Sequence, residues 1–237
     1  MDGHDGRPEP PAPPKRRTAS IARVPYTTQV HDCRTPEALK TGVSHATEAL
    51  RAGALIVFPT DTVYGVGADP FDPGAVKALL SAKGRDADKP ASVLVADVAA
   101  AETLVGSMPP DARRLAEAFW PGALSLVLPA APALALELGN TGGTVMVRMP
   151  AHPVALALLR AAGPVAQSSA NLTGRPPATT CEEARAQLGD RVRAYLDGGP
   201  SGTLPSTIVA FTGGFGPAVL REGAVPRAAV EEALRGL

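Results

Sequence analysis

The chain lacks an excess of charge of either sign: 23 basic and 23 acidic residues cancel over 237 positions. Bulk charge therefore argues against a strongly basic nucleic-acid binder and against a membrane-surface protein, and any cationic site has to be a local cluster. Cysteine is scarce. Cys33 and Cys181 form no CxxC pair, and the four histidines are scattered, which indicates neither a disulfide framework nor a zinc site. Aromatic residues make up only 4%, thin material for stacking RNA bases. No apolar run spans a bilayer, because the greasiest stretch, Ala123 to Leu138, is broken by Pro129, Pro132 and Glu137. Residues 1–25 hold six prolines and no apolar signal core, so no secretory leader is expected and the cytoplasm is the expected compartment. A Walker GxxxxGK[ST] loop and the Ser-His-Asp and Cys-His patterns of covalent catalysis are missing as well.

What is present suits one sizeable domain with a tail. Apolar residues form 45% of the chain, enough for a core. Residues 1–30 read as a disordered, proline-rich tail and 31–237 as a single domain. Arginine outnumbers lysine 18 to 5, yet Lys77, Lys83 and Lys89 fall within thirteen residues of one another. A compact, mobile point charge is thus concentrated in one short stretch of a chain that otherwise uses planar forks.

Order is expected from Thr35-Pro36, an N-cap followed by proline at the first helical position, with the helix running to Arg51 and stopped by Gly53. Ala54–Phe58 reads as a buried strand and Pro59–Gly67 as a loop. Asp72-Pro73 opens a second helix ending at Lys83-Gly84. Strands follow at Ser92–Val95, Leu124–Leu128, Thr144–Met149, Val165–Ser168, Ala194–Leu196, Thr207–Phe211 and Ala218–Arg221. Two short helices precede Trp120, a third lies at Pro153–Ala162, and Thr180-x-x-Glu183 is a capping box opening a fourth. A C-terminal helix starts at Pro226. Strands and helices mix without strict βαβ alternation, which predicts an α/β domain with a twisted mixed sheet and flanking helices.

Four polar patches sit where a buried strand gives way to a loop, the usual place for ligand groups in α/β sheets. Thr60-Asp-Thr62 with Tyr64-Gly-Val-Gly67 offers hydroxyls, a carboxylate and a close backbone, though a polar turn would read the same way. Lys83-Gly-Arg85 with Lys89 crowds three cations as a polyphosphate needs; bases at a helix C-terminus would account for Lys83 but poorly for Lys89. Ser168-Ser-Ala-Asn171 can hydrogen-bond phosphate, ribose or base, or simply form an Asx turn. Arg148 and Arg221 end strands and can grip a carboxylate or phosphate, with Ser206-Thr207 in a similar position; single surface arginines look alike. Composition and spacing point to an anionic ligand and stop there.

Seven motifs occur in an order that resembles the YrdC family: Pro59-Thr-Asp-Thr-Val-Tyr-Gly-Val-Gly67, Lys83-Gly-Arg85…Lys89-Pro90, Phe119-Trp-Pro-Gly122, Val147-Arg-Met-Pro150, Ser169-Ala-Asn171-Leu-Thr-Gly174, Pro205-Ser-Thr207 and Leu220-Arg221-Glu-Gly223. The resemblance covers about residues 35–225 and is to the single-domain type, without the extra C-terminal domain of longer relatives. It implies a concave, positively lined ligand cavity and the synthesis of threonylcarbamoyl-AMP from ATP, L-threonine and bicarbonate, the first step of threonylcarbamoyladenosine formation in tRNA. The family signature falls on Lys83, Arg85, Ser169 and Asn171 as the catalytic set. By the same resemblance Arg85, Lys89, Thr144, Ser169 and Arg221 contact ATP, while Thr62, Arg148, Gln167 and Ser206 hold threonine. Magnesium is expected to arrive with ATP. A downstream threonylcarbamoyl-transferase complex is the implied partner, and tRNA is met indirectly or weakly. Pro177 stands where relatives often carry a small hydroxyl. Two rival readings are a carbamoyl-transfer module of the same fold, which would need further catalytic or zinc-binding domains, and a non-catalytic RNA-binding module, which the zero net charge and few aromatics oppose.

Overall fold

The computed structural model describes residues 27–84, 90–132, 134, 136, 138–212 and 216–235; most of the expected N-terminal tail lies outside them. Capping fixes the helices. In α1 (Pro36–Arg51) the Thr35 hydroxyl accepts the Ala38 N–H at 3.3 Å, and in α2 (Pro73–Ala82) Asp72 accepts from Gly74 at 2.8 Å and Ala75 at 3.2 Å. Asp97 caps α3 (Val98–Leu104); α4 (Pro110–Phe119) and α5 (Pro153–Ala162) begin on proline. Thr180 caps α6 (Cys181–Leu188), and α7 (Arg227–Arg235) ends the described chain. The expected capping box is displaced by one residue: Thr180 accepts the Glu183 N–H at 3.2 Å, but Glu183 Oε2 accepts from the backbone and hydroxyl of Thr179 at 2.7 and 3.0 Å.

Ten described strands form one sheet: β1 (Gln29–Asp32), β2 (Ile56–Phe58), β3 (Gly65–Ala68), β4 (Ser92–Leu94), β5 (Leu124–Pro129), β6 (Thr144–Arg148), β7 (Val165–Ser169), β8 (Ala194–Asp197), β9 (Thr207–Ala210) and β10 (Ala218–Arg221). Their spatial order is β1-β8-β2-β3-β7-β4-β6-β5-β9-β10, with β1–β8, β8–β2, β4–β6 and β5–β9 parallel and the other neighbours antiparallel. The mixed sheet with flanking helices is as expected from the sequence.

Two strands depart from that expectation. β1 precedes Thr35: Gln29-Val-His-Asp is too polar to announce a strand, and it forms an edge beside β8, where only one side needs pairing. β3 occupies part of the expected loop. Gly-Val-Gly-Ala has weak strand propensity, yet a Cβ on Gly67 would stand 2.7 Å from Val165 and 2.9 Å from Phe58, so only glycine lets β3 lie between β2 and β7.

Alternation divides the core. Leu55, Val57, Val66, Val93, Leu126, Val147, Ala166, Tyr195 and Val209 point to the face covered by α2, α3, α4, α6 and α7. Ile56, Phe58, Leu94, Val165 and Leu196 point to the other, covered by α1 and α5. Those two helices reach only the β1-β8-β2 end, with single residues from β4 and β7. Farther along the same face no described helix lies over the sheet.

Candidate active site

The uncovered half of that face carries polar side chains. Register places Gln167 and Ser169 of β7, Ser92 of β4, Met146 and Arg148 of β6, Ser125 of β5 and Ile208 of β9 on one side. With Thr62, Ser206 and Arg221 they line a cleft of about 330 Å³. A wider groove of about 790 Å³, beside α2 and the 3₁₀ turn Gly189–Arg191, contains none of the motif residues assigned above.

Arg148 is the hub of the cleft. The residue is 5% exposed, and its guanidinium donates through Nε to Gly122 O at 2.9 Å, through Nη1 to Thr62 Oγ1 at 2.8 Å, and through Nη2 to Asp61 Oδ1 at 2.5 Å. Desolvation pulls its pKa down from the ordinary arginine value; Asp61 pulls the other way, and the charge of Arg221 adds to the lowering. Asp61 also accepts the Ala151 N–H at 2.9 Å. Thr60 braces Thr62 from below, hydroxyl to hydroxyl at 2.9 Å, and donates to Val63 O at 2.7 Å. A buried arginine with three fixed partners still has N–H groups that can donate to a further carboxylate.

The Trp-Pro-Gly motif supports this hub. Trp120 Nε1 donates to Leu124 O at 2.7 Å, and the Gly122 N–H to Met149 O at 2.8 Å, which presents the Gly122 carbonyl to Arg148. A Cβ on Gly122 would collide with the Phe119 carbonyl. Gly122→Ala should therefore lower the melting temperature by several degrees, about 1–3 kcal/mol of strain, and weaken carboxylate binding by moving Arg148. Thermal denaturation with and without amino acid checks both.

A bulge aims Arg221. Ala218 and Val219 pair regularly with Ala210 and Val209, but Arg221 stands opposite Ile208, leaving Leu220 as the extra residue. A regular ladder would put Leu220 there and turn Arg221 to the opposite face. Arg221 instead donates to Ser206 O through Nε at 3.1 Å and Nη2 at 2.7 Å, and to Ser206 Oγ at 3.2 Å.

Lys83 lies under the cleft. It is 3% exposed, and its ammonium donates to Ser169 O, to Asn171 O at 2.7 Å and to Asn171 Oδ1 at 3.3 Å. Asn171 Nδ2 donates to Leu172 O at 2.9 Å and Arg175 O at 2.8 Å, closing the loop after β7. Lys83 and Asn171 thus shape the loop that presents Ser169. Thr144 is on the site face, but at the far end of β6, bonded to Thr141 O at 2.7 Å. Thr62, Arg148, Gln167, Ser169, Ser206 and Arg221 converge; Lys83, Asn171 and Thr144 do not line the cleft. Arg85 and Lys89 lie outside the described residues.

Sequence reasoning passed over Asp61 as the partner of Arg148, and over Ser92, whose hydroxyl lies 3.1 Å from both oxygens of Gln167. It also missed Ser125, a single hydroxyl inside Leu-Ser-Leu-Val-Leu, which was the available signal. Pro177 does line the cleft and offers no hydroxyl. Among the described residues no group of three His, Cys, Asp or Glu could hold a metal, and no helix is long and apolar enough to cross a membrane. Both thiols are 5–6% exposed. Burial, assisted by nearby carboxylates, pushes Cys33 up to about 11 and Cys181 up to about 12. Iodoacetamide at pH 7.5 should leave the folded protein unmodified, whereas rapid alkylation measured by mass would show that these thiols open to solvent.

A twisted mixed sheet with a hydroxyl-lined cleft and two arginines on its open face defines an α/β domain with a candidate anion site. The chain belongs to the Sua5/YciO/YrdC family, whose model, described as telomere recombination, matches residues 48–223. A Mycobacterium tuberculosis relative, provisionally assigned as a threonylcarbamoyl-AMP synthase, is 55% identical over 87% of this chain and 95% of its own length. The threonylcarbamoyl-AMP synthase of Bacillus subtilis is 42% identical over 80% of this chain, which spans 55% of that longer protein. Among solved structures, Pyrococcus abyssi Sua5 complexed with L-threonine superposes with a TM-score of 0.80 at 34% identity, covering 87% of this chain and 61% of that one. Escherichia coli YciO superposes at 0.74 with 26% identity, covering 84% and 97%.

Proposed function

We propose that this protein is an L-threonylcarbamoyladenylate synthase, a nucleotidyltransferase joining ATP, L-threonine and bicarbonate. The observation that carries the reading is the buried Arg148, held by Asp61, Thr62 and Gly122 on the open face of the sheet, together with the threonine complex of the Pyrococcus abyssi relative. Arg148 takes the amino-acid carboxylate, with Thr62, Gln167 and Ser206 around it. Arg85, Lys89, Thr144, Ser169 and Arg221 hold ATP. Lys83 and Asn171 position Ser169.

The substrates supply the nucleophile. Bicarbonate takes up a proton and loses water to give carbon dioxide. The amine lone pair of threonine attacks its carbon, one C=O electron pair moves to oxygen, and a nitrogen proton leaves, giving a carbamate. A carbamate oxygen then attacks the α-phosphorus; the bond to the bridging oxygen breaks and pyrophosphate departs with its electron pair. The protein's part is positioning and charge stabilisation. Magnesium accompanies ATP as part of that substrate. The product is an activated acyl group for a downstream transferase acting on tRNA in the cytoplasm.

The test is the initial rate of pyrophosphate release across amino acids, with and without bicarbonate. A site that bonds the substrate hydroxyl should reject valine by up to about 10⁴-fold, while serine, lacking one methyl, should lose roughly 10–200-fold. Valine equal to threonine, or release indifferent to the amino acid, would overturn the reading.

A further inference from the structure

Ser125 is 3% exposed in an otherwise apolar strand, where a hydroxyl must find a partner. Its partner is Ser206 Oγ at 2.9 Å. Ser206 Oγ also accepts from Arg221 Nη2. A guanidinium can only donate, so Ser206 Oγ spends one lone pair on Arg221, and either serine can donate to the other. The two hydroxyls share two protons: one lies between them, and the other remains for the cleft that both serines line. Whichever serine donates to the other, the chain ends in a single O–H polarised by the arginine charge behind it. On the sheet Ser125 stands one position beyond the Leu126–Val147 pair, next to Arg148 on the same face.

We infer that the Ser125–Ser206 hydroxyl pair, backed by Arg221, is the subsite for the carbamate group formed from bicarbonate and the threonine amine, with Ser125 in contact with it. The inference rests on the synthase reading. Threonine carbamate carries two anionic carboxyl groups one short step apart. Arg148 accounts for the first, and a second donor set beside it accounts for the other. Neutral hydroxyls suit that second group: they hold the carbamate without fully neutralising the oxygen that must attack phosphorus. Arg221 contributes its charge through them.

The experiment compares wild type with Ser125→Ala, Ser125→Thr and Ser125→Val, measuring pyrophosphate release with each of bicarbonate, threonine and ATP varied in turn and melting temperatures recorded alongside. Loss of a hydrogen bond to a charged group raises the bicarbonate KM roughly 10- to 100-fold in Ser125→Ala and Ser125→Val. The KM values for threonine and ATP, each at saturating bicarbonate, move far less than the bicarbonate KM, because Arg148 and the residues assigned to ATP are untouched. Threonine and valine have the same shape at position 125, so Ser125→Thr isolates the hydroxyl and recovers the bicarbonate KM. An unchanged bicarbonate KM, a parallel rise in all three, or Thr and Val behaving alike overturns the inference and leaves the synthase reading standing. A wild-type rate that ignores bicarbonate overturns both.

Discussion

Arg148→Ala should cripple use of the amino acid while leaving ATP binding nearly intact. Removing one member of a buried, hydrogen-bonded charge pair costs about 2–5 kcal/mol in binding, so the threonine KM should rise on the order of 10²–10³-fold. The same change strips Asp61 of its partner; the two side chains are 6% and 20% exposed, and an uncompensated carboxylate there should lower stability by roughly 3–5 kcal/mol. The two consequences separate in the double variant Arg148→Ala with Asp61→Asn. Neutralising the orphaned carboxylate should restore much of the melting temperature and none of the threonine affinity. Recovery of both would show that Arg148 serves the fold alone, and loss of neither would remove it from both roles.

Lys83→Met should damage stability and turnover together, whereas Arg85→Ala should damage turnover alone. Methionine keeps the bulk of Lys83 but cannot donate, leaving the Ser169 and Asn171 carbonyls to lose a buried partner. Each unsatisfied group costs about 1–3 kcal/mol, and the loop that presents Ser169 loses its anchor. Arg85 is proposed to contact ATP; losing a donor aimed at transition-state charge costs about 10²–10³ in rate. Melting curves beside ATP-dependent pyrophosphate release decide the contrast. If Lys83→Met melted like wild type, the ammonium would not be holding the loop.

The helices were legible because their signals are local: Thr35-Pro36, Asp72-Pro73 and Thr180 act within three residues of themselves. Long apolar runs such as Leu124–Leu128 announced their strands for the same reason. β1 and β3 escaped because one is a polar edge and the other a glycine-rich ribbon, each a strand only through its neighbours. The site divided similarly. Its residue types and motif order stood in the sequence, while the pairing of Arg148 with Asp61, 87 positions away, did not.

Sequence alone therefore determined the helix boundaries, the apolar strands, the family and the set of polar residues available to an anion. The tertiary structure decided which of them face the cleft. Alternation gives every strand two faces and says nothing about which face is left open; that follows from α1 and α5 covering only one end of the sheet. One bulged residue, Leu220, settles whether Arg221 points into the cleft or away from it. Lys83, fixed as a cation by sequence, works beneath the site because the fold delivers carbonyls from 86 and 88 positions away to its ammonium. A charge buried in protein spends its hydrogen bonds on whatever the packing brings within reach, and that is a property of the folded chain.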